Sequence, residues 1–298
     1  MKVHLRMAFM AIILATLSVH AVDRNKFRTC HQSSFCRRSR SMEPGQTVYT
    51  LDPATLQVNA NLVEGLLSLD EVRFRLEISA LKSGGFRVKI REAFPLVPRF
   101  EVPEVLAGDP EVIQYLFFRS KCNRNSYRFF YFCTFQIDAM ALEKSDEKGF
   151  TLMSGKNKID VTNSPFRMDF YSDNVLVVSA NARQLLRFEA TKEKTEENNN
   201  DEAGTWEESF GGNTDSKPRG PQAVAMDFSF VGSKHIYGVP EHADTFDLKD
   251  TSTTDPYRLY NLDVFEYELW NPMALYAAVP FVMSHNAKRS SGRLTTFK

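Results

Sequence analysis

Two cysteines, Cys30 and Cys36 in the run CHQSSFC, are the first side chains of this 298-residue sequence with chemistry to offer. In an oxidising compartment their short spacing favours a small local disulfide loop. The alternative is metal binding, since His31 lies between them. A tetrahedral zinc site needs a second Cys/His pair, however, and none of suitable spacing occurs nearby. Cys122 and Cys133 form no comparable pattern. Hydrolytic chemistry has no motif either, because the chain lacks a G-x-S-x-G elbow, an H-E-x-x-H run and a recognisable paired-acid motif. No catalytic residue, metal site or cofactor is expected from these residues alone.

The segments that must position any site begin with a targeting sequence. Lys2 and Arg6 form a basic start, Met7 to Leu17 are almost all apolar, and Val19 and Ala21 occupy the minus-three and minus-one positions of a cleavage site. Residues 1–21 therefore read as a signal peptide. Their apolar run is shorter than the roughly 20 residues of a spanning helix, and no later stretch reaches that length. The mature chain is expected to be soluble and lumenal, with no membrane span. Lysine plus arginine equals aspartate plus glutamate at 37 each, so no global field favours nucleic acid or an anionic surface. The cluster Arg37, Arg38 and Arg40 lacks interleaved aromatics and reads as a solvated surface segment rather than a nucleic-acid patch.

From Thr47 to Lys192 the dominant signal is period-two alternation, which puts apolar side chains on one sheet face. Val72, Phe74, Leu76 and Ile78 alternate with Arg73, Arg75 and Glu77, and after Gly84-Gly85 a second run sets Phe86, Val88 and Ile90 against Arg87, Lys89 and Arg91. This predicts a hairpin. Phe166, Met168 and Phe170 repeat the pattern, and Val175 to Val178 reads as a strand buried on both faces. Helical periodicity is weak after the signal peptide. A large antiparallel β-sandwich is expected over 47–292, after an N-terminal segment 22–46 that holds the Cys30/Cys36 loop. Two stretches break the regularity. Residues 192–220 are rich in glutamate, asparagine, glycine and serine and predict a mobile acidic insertion, with Trp206 and Phe210 as docking points. Tyr115 to Ile137 holds a run of aromatics that suits no sandwich strand.

The most specific sequence lies in the last third: HIYGVPEHADTFDL (His235–Leu248), DPYRLYNLDVFEYELWNPMALY (Asp255–Tyr276) and VPFVMSHN (Val279–Asn286). Together with VDRNKFRTCHQSSFCRRSRS (Val22–Ser41) and DSKPRGPQAVAMDFSF (Asp215–Phe230), these blocks resemble the N-terminal region of family-31 glycoside hydrolases, closest to the glucosidase II branch. The resemblance implies a galactose-mutarotase-like β-sandwich that packs against a (β/α)₈ barrel carrying the chemistry. It also implies an α-glucosidase acting in the endoplasmic reticulum lumen, with a glucose-capped N-glycan as substrate and a separate β subunit as partner.

One sandwich loop of the family reaches into the glucose pocket. It corresponds to Tyr260–Glu266, with the sugar-contacting aspartate at Asp263. A carboxylate there accepts hydrogen bonds from sugar hydroxyls, with Tyr260 and Phe265 as an apolar wall; a turn-capping role after Asn261 is the plainer reading. The family's nucleophile sits in a Trp-x-Asp-Met-Asn setting that this sequence lacks, and only twelve residues follow Asn286 against the roughly 250 of a barrel. The barrel is therefore expected to be absent from this chain, the fragment alone inactive, and 293–298 a divergent tail. A secreted, non-enzymatic carbohydrate-binding sandwich is the alternative.

Overall fold

A computed structural model describes residues 22–59, 62–100, 140–263 and 266–294. The expected signal peptide, the aromatic stretch 115–137 with Cys122 and Cys133, Phe265 and the last four residues of the expected tail lie outside them. The described residues divide into two compact units. The larger takes in 38–59, 62–100, 140–208 and 216–232, and the smaller 22–37, 209–215, 233–263 and 266–294. The expected 47–292 span is thus shared between them.

In the larger unit, β1 (Thr50–Asn59), β2 (Leu62–Leu69), β3 (Val72–Ala80) and β4 (Phe86–Glu92) form a four-stranded antiparallel sheet in sequential order. The predicted hairpin is β3–β4, closed by Leu81–Gly85 and paired from Phe74↔Glu92 to Ala80↔Phe86. Its period-two pattern puts Phe74, Leu76 and Ile78 in the core opposite Leu67, Gly65 and Val63. The second sheet runs through β5 (Ala141–Asp146), β6 (Gly149–Ser154), β7 (Asn157–Thr162), β8 (Arg167–Ser172) and β9 (Val175–Ala180). Its inward ladder of Phe150↔Val161, Leu152↔Ile159 and Val161↔Met168 joins the first sheet in a single apolar cluster. Two sheets sharing one core make the expected sandwich. Gly149 permits that ladder, since a Cβ there would stand 2.0 Å from the Val161 carbonyl oxygen.

The run Val175–Val178 does not fit its expected place. It is strand β9, but Val175 is exposed and only Val178 of the four is buried. The reason is the turn Asp173–Asn174, whose residues both take positive φ and bring the start of β9 to the sheet end, where solvent covers it.

After the short strand β10 (Arg187–Phe188), the acidic stretch is richer in structure than its composition predicts. The Trp206 indole donates to the Asn198 carbonyl at 2.8 Å, Lys192 and Lys194 lie over its ring, and Lys217 Nζ donates to the Gly204 carbonyl and the Glu208 carboxylate. A hairpin of β11 (Glu207–Phe210) and β12 (Asn213–Ser216) follows. Composition averages over such anchors, each of which needs only one aromatic and a few local acceptors. Strand β13 (Val224–Ala225) then pairs with β10, and β14 (Phe228–Phe230) adds to the second sheet beside β9.

The basic cluster also departs from expectation. A short helix α1 (Ser34–Arg40) carries all three arginines, so they point in different directions, and Arg38 is buried rather than solvated. Its Nε donates to Glu189 Oε1 at 2.8 Å and both side chains are 5 % exposed, so burial of the charge is offset by an equally buried partner.

Candidate functional site

The smaller unit rests on a three-stranded antiparallel sheet, β15 (Ile236–Gly238), β16 (Phe281–Asn286) and β17 (Arg289–Leu294). Gly238 ends β15 with φ +122°, and a Cβ there would meet the Phe281 carbonyl oxygen at 2.2 Å. Between β15 and β16 the described residues contain no helix or strand, so side chains must hold the backbone in place.

Near the base of this long loop, Asp244 is 2 % exposed and forms an ion pair with Lys249. Its carboxylate also accepts from the Tyr257 hydroxyl at 2.9 Å and the Thr245 N–H at 2.7 Å. Burial alone would raise its pKa; the bonds from Lys249, Thr245 and Tyr257 outweigh that and hold it below 3.8. Burial likewise pushes the Tyr257 phenol up, with the Asp244 charge adding to the shift. The Tyr257 ring packs on His242, whose Nδ1 stands 2.7 Å from the Met273 carbonyl, so that nitrogen donates.

Further along, residues from the start of the chain meet the loop. Cys30 and Cys36 form the expected disulfide, closed across a 3₁₀ turn and α1. The Cys30 N–H donates to Asp255 Oδ1 at 2.8 Å, and Arg258 Nη2 donates to Asp255 Oδ2 at 3.1 Å. Arg24 grips Glu268 with Nε at 3.2 Å from Oε1 and a second bond from Nη2 to Oε2, which also accepts from Asn271. Val22, Phe27, Tyr260 and Met273 help line a cleft of about 140 Å³ between these pairs.

Asp263 is exposed in the described loop, and its carboxylate forms no hydrogen bond with any described residue. Glu266 is exposed too, and Tyr260 stands at 40 % exposure on the cleft wall. By contrast, Asp244, Asp255 and Glu268 are all engaged by cations or N–H groups. An open carboxylate can accept from hydroxyl groups, whereas an engaged one is structural. Among the described residues no group of three or more His, Cys, Asp or Glu could hold a metal ion, and no helix is long and apolar enough to cross a membrane.

The family described as the glycosyl hydrolase 31 N-terminal galactose mutarotase-like domain matches residues 75–295. The chain belongs to glycoside hydrolase family 31. Human neutral alpha-glucosidase AB is 37 % identical to this family-31 chain over 326 residues, covering 96 % of the chain and 32 % of the human protein. A crystal structure of glucosidase II alpha subunit, alpha3-Glc2-bound, superposes with a TM-score of 0.70 at 31 % identity, over 89 % of this chain and 30 % of that one. A heterodimeric ER glucosidase II complex, of catalytic subunit and the binding domain of the regulatory subunit, matches with the same four values. The chain spans about a third of the length of the curated relatives it matches.

The motifs of the family-31 sequence point to Tyr260, Asp263 and Phe265, but not to Arg24, Asp255, Glu268 or Asn271, which line the cleft with Tyr260. The signal available was the presence of both acids within the long block Asp255–Tyr276. Nothing in that block says that their partners lie near the chain's start.

Proposed function

We propose that this chain is the N-terminal domain of an α-glucosidase of the glucosidase II type, which removes α-1,3-linked glucose from N-glycans in the endoplasmic reticulum lumen. The alignment with human neutral alpha-glucosidase AB carries this reading, because it runs through 96 % of the chain rather than a single motif. In this proposal residues 1–21 direct the chain to the lumen, a β subunit accompanies it, and Asp263 accepts a hydrogen bond from a glucose hydroxyl. Phe246, Leu269 and Trp270, at 80 %, 66 % and 66 % exposure, support the reading that a further domain covers this face of the smaller unit.

The two carboxyls that a retaining glycosidase holds about 5 to 5.5 Å apart come from the barrel in this proposal, and the domain described here supplies binding rather than bond cleavage. The test compares residues 22–298, the same residues joined to the barrel of a family-31 relative, and the joined form with Asp263→Asn, on an α-1,3-glucosyl substrate. No turnover is expected from the first. In the third, kcat/KM falls by about 10- to 150-fold, the equivalent of a hydrogen bond to a charged group. Turnover by residues 22–298 alone, or an unchanged kcat/KM in the Asp263→Asn form, overturns the assignment.

A further inference from the structure

We propose that Val22–Cys30 is a brace that sets the position of the Asp263 loop, with Arg24, Asp255 and Glu268 as positioning residues. The inference rests on the reading that this loop meets sugar, but its geometry is independent of it. Asp263 sits in a stretch with no helix or strand, and a carboxylate can select a hydroxyl only if its backbone is held in place.

Two side chains that flank the stretch are tied to the beginning of the chain, Asp255 to the Cys30 N–H and Glu268 to Arg24. The ties cross 225 and 244 residues of sequence, so they fix the loop to a separate segment rather than to itself. Each tie has a second bond that passes the restraint inward. Asp255 also receives Arg258, whose N–H meets the Pro272 carbonyl at 3.5 Å; Glu268 also receives Asn271, whose Oδ1 accepts from the Met273 N–H at 3.0 Å. Leu262, next to Asp263, then donates its N–H to the Leu275 carbonyl at 2.7 Å.

The brace has its own anchors. Val22 is buried, Asp23 accepts from the Asn25 N–H, and Cys30 is fixed to Cys36. Arg24 meets Glu268 through two nitrogens of its planar fork, which restrains angle as well as distance. Glu268 is 14 % exposed and Arg24 64 %, so substitution of the arginine removes the grip while leaving the buried side of the contact filled.

The test is hydrogen exchange of the full chain, expressed into an oxidising secretory compartment and read by mass spectrometry. Arg24→Ala is expected to speed exchange in peptides spanning 256–263 and 266–274 by about three- to fivefold, the scale of a largely exposed ion pair. Peptides of β3 and β6 keep their rates. Asp255→Asn gives the same local pattern. Arg24→Lys, which keeps a cation on Glu268 and leaves Asn271 its acceptor, holds the loop rates within about twofold of the unsubstituted chain. Unchanged loop peptides in Arg24→Ala overturn the brace, as does equal acceleration in the sheets, which would make Arg24 a general stabiliser. No sugar enters this assay, so a failed brace leaves the role of Asp263 standing, and an inert Asp263 leaves the brace standing.

Discussion

Replacing Glu189 with alanine removes the sole carboxylate among the described residues that pairs with Arg38. Glu189 accepts from Arg38 Nε at 2.8 Å, from Arg38 Nη2 at 3.4 Å and from the Ala223 N–H at 3.1 Å, and Arg187 Nε lies 3.3 Å from it. Arg187 is 32 % exposed and can turn to water once the acid is gone. Arg38 cannot, because its side chain is 5 % exposed and its Nη1 already has no partner among the described residues. Glu189→Ala thus strands a buried guanidinium, which costs about 3 to 5 kcal/mol. With a urea slope of about 2 kcal/mol per M, the midpoint of the larger unit falls by roughly 1.5 to 2.5 M. Trp206 fluorescence in a Trp270→Phe background follows that unit. Removing both charges, as Arg38→Met with Glu189→Leu, leaves no stranded charge, only the part-buried Ala223 N–H without this acceptor, and recovers most of the loss. A Glu189→Ala penalty below about 1 kcal/mol, the level of a surface pair, would refute the burial argument.

Opening the Cys30–Cys36 loop by Cys36→Ser lowers stability by about 2 kcal/mol, as expected for so short a loop, and thiol labelling of the untreated secreted chain finds neither cysteine reactive. Because Asp244 has its folded pKa below 3.8, its bonds stabilise the smaller unit fully above that pH and are lost as pH falls through the lower folded value; thermal melts between pH 5 and pH 3 show this loss, and Asp244→Asn flattens it. Gly149→Ala drives a Cβ into the Val161 carbonyl and costs about 1 to 3 kcal/mol or more, whereas Gly85→Ala, with nothing nearer than 4.0 Å, stays within about 0.5 kcal/mol; equal melts for the two would contradict the packing described.

The sandwich was legible where a local period carried it. Phe74, Leu76 and Ile78 alternate with charged neighbours, so their buried face could be read directly, and Gly84-Gly85 marked the turn between β3 and β4. Periodicity says less where the deciding contact is distant. Arg38 stands in an arginine-rich run that composition assigns to the surface, and its burial depends on an acid 151 residues later. Val175 belongs to an apolar run but falls at a strand end, which hydropathy does not mark. At the site, Asp263 carried no signal of its own and was reached only through the resemblance of the whole block. Arg24 and Glu268 were missed because an isolated arginine and an isolated glutamate, however well they fit, leave no pattern in either neighbourhood.

The smaller unit draws on both ends of the described chain, and this has a consequence during synthesis. Arg24 emerges from the ribosome 244 residues ahead of Glu268, a delay of roughly 10 to 50 s at about 5 to 20 residues per second. The described strands of the sandwich between them are all made by Phe230, and it can fold during that interval. The first segment must wait, with Val22 and Phe27 uncovered. Its cysteines need no such delay, since they lie only six residues apart and are made almost together. Early closure would turn the waiting segment into a compact hook before the loop residues it grips, Asp255 and Glu268, exist. Chaperone dependence in this chain is therefore expected to concentrate on its first residues, and to end only when the stretch around Glu268 has been made.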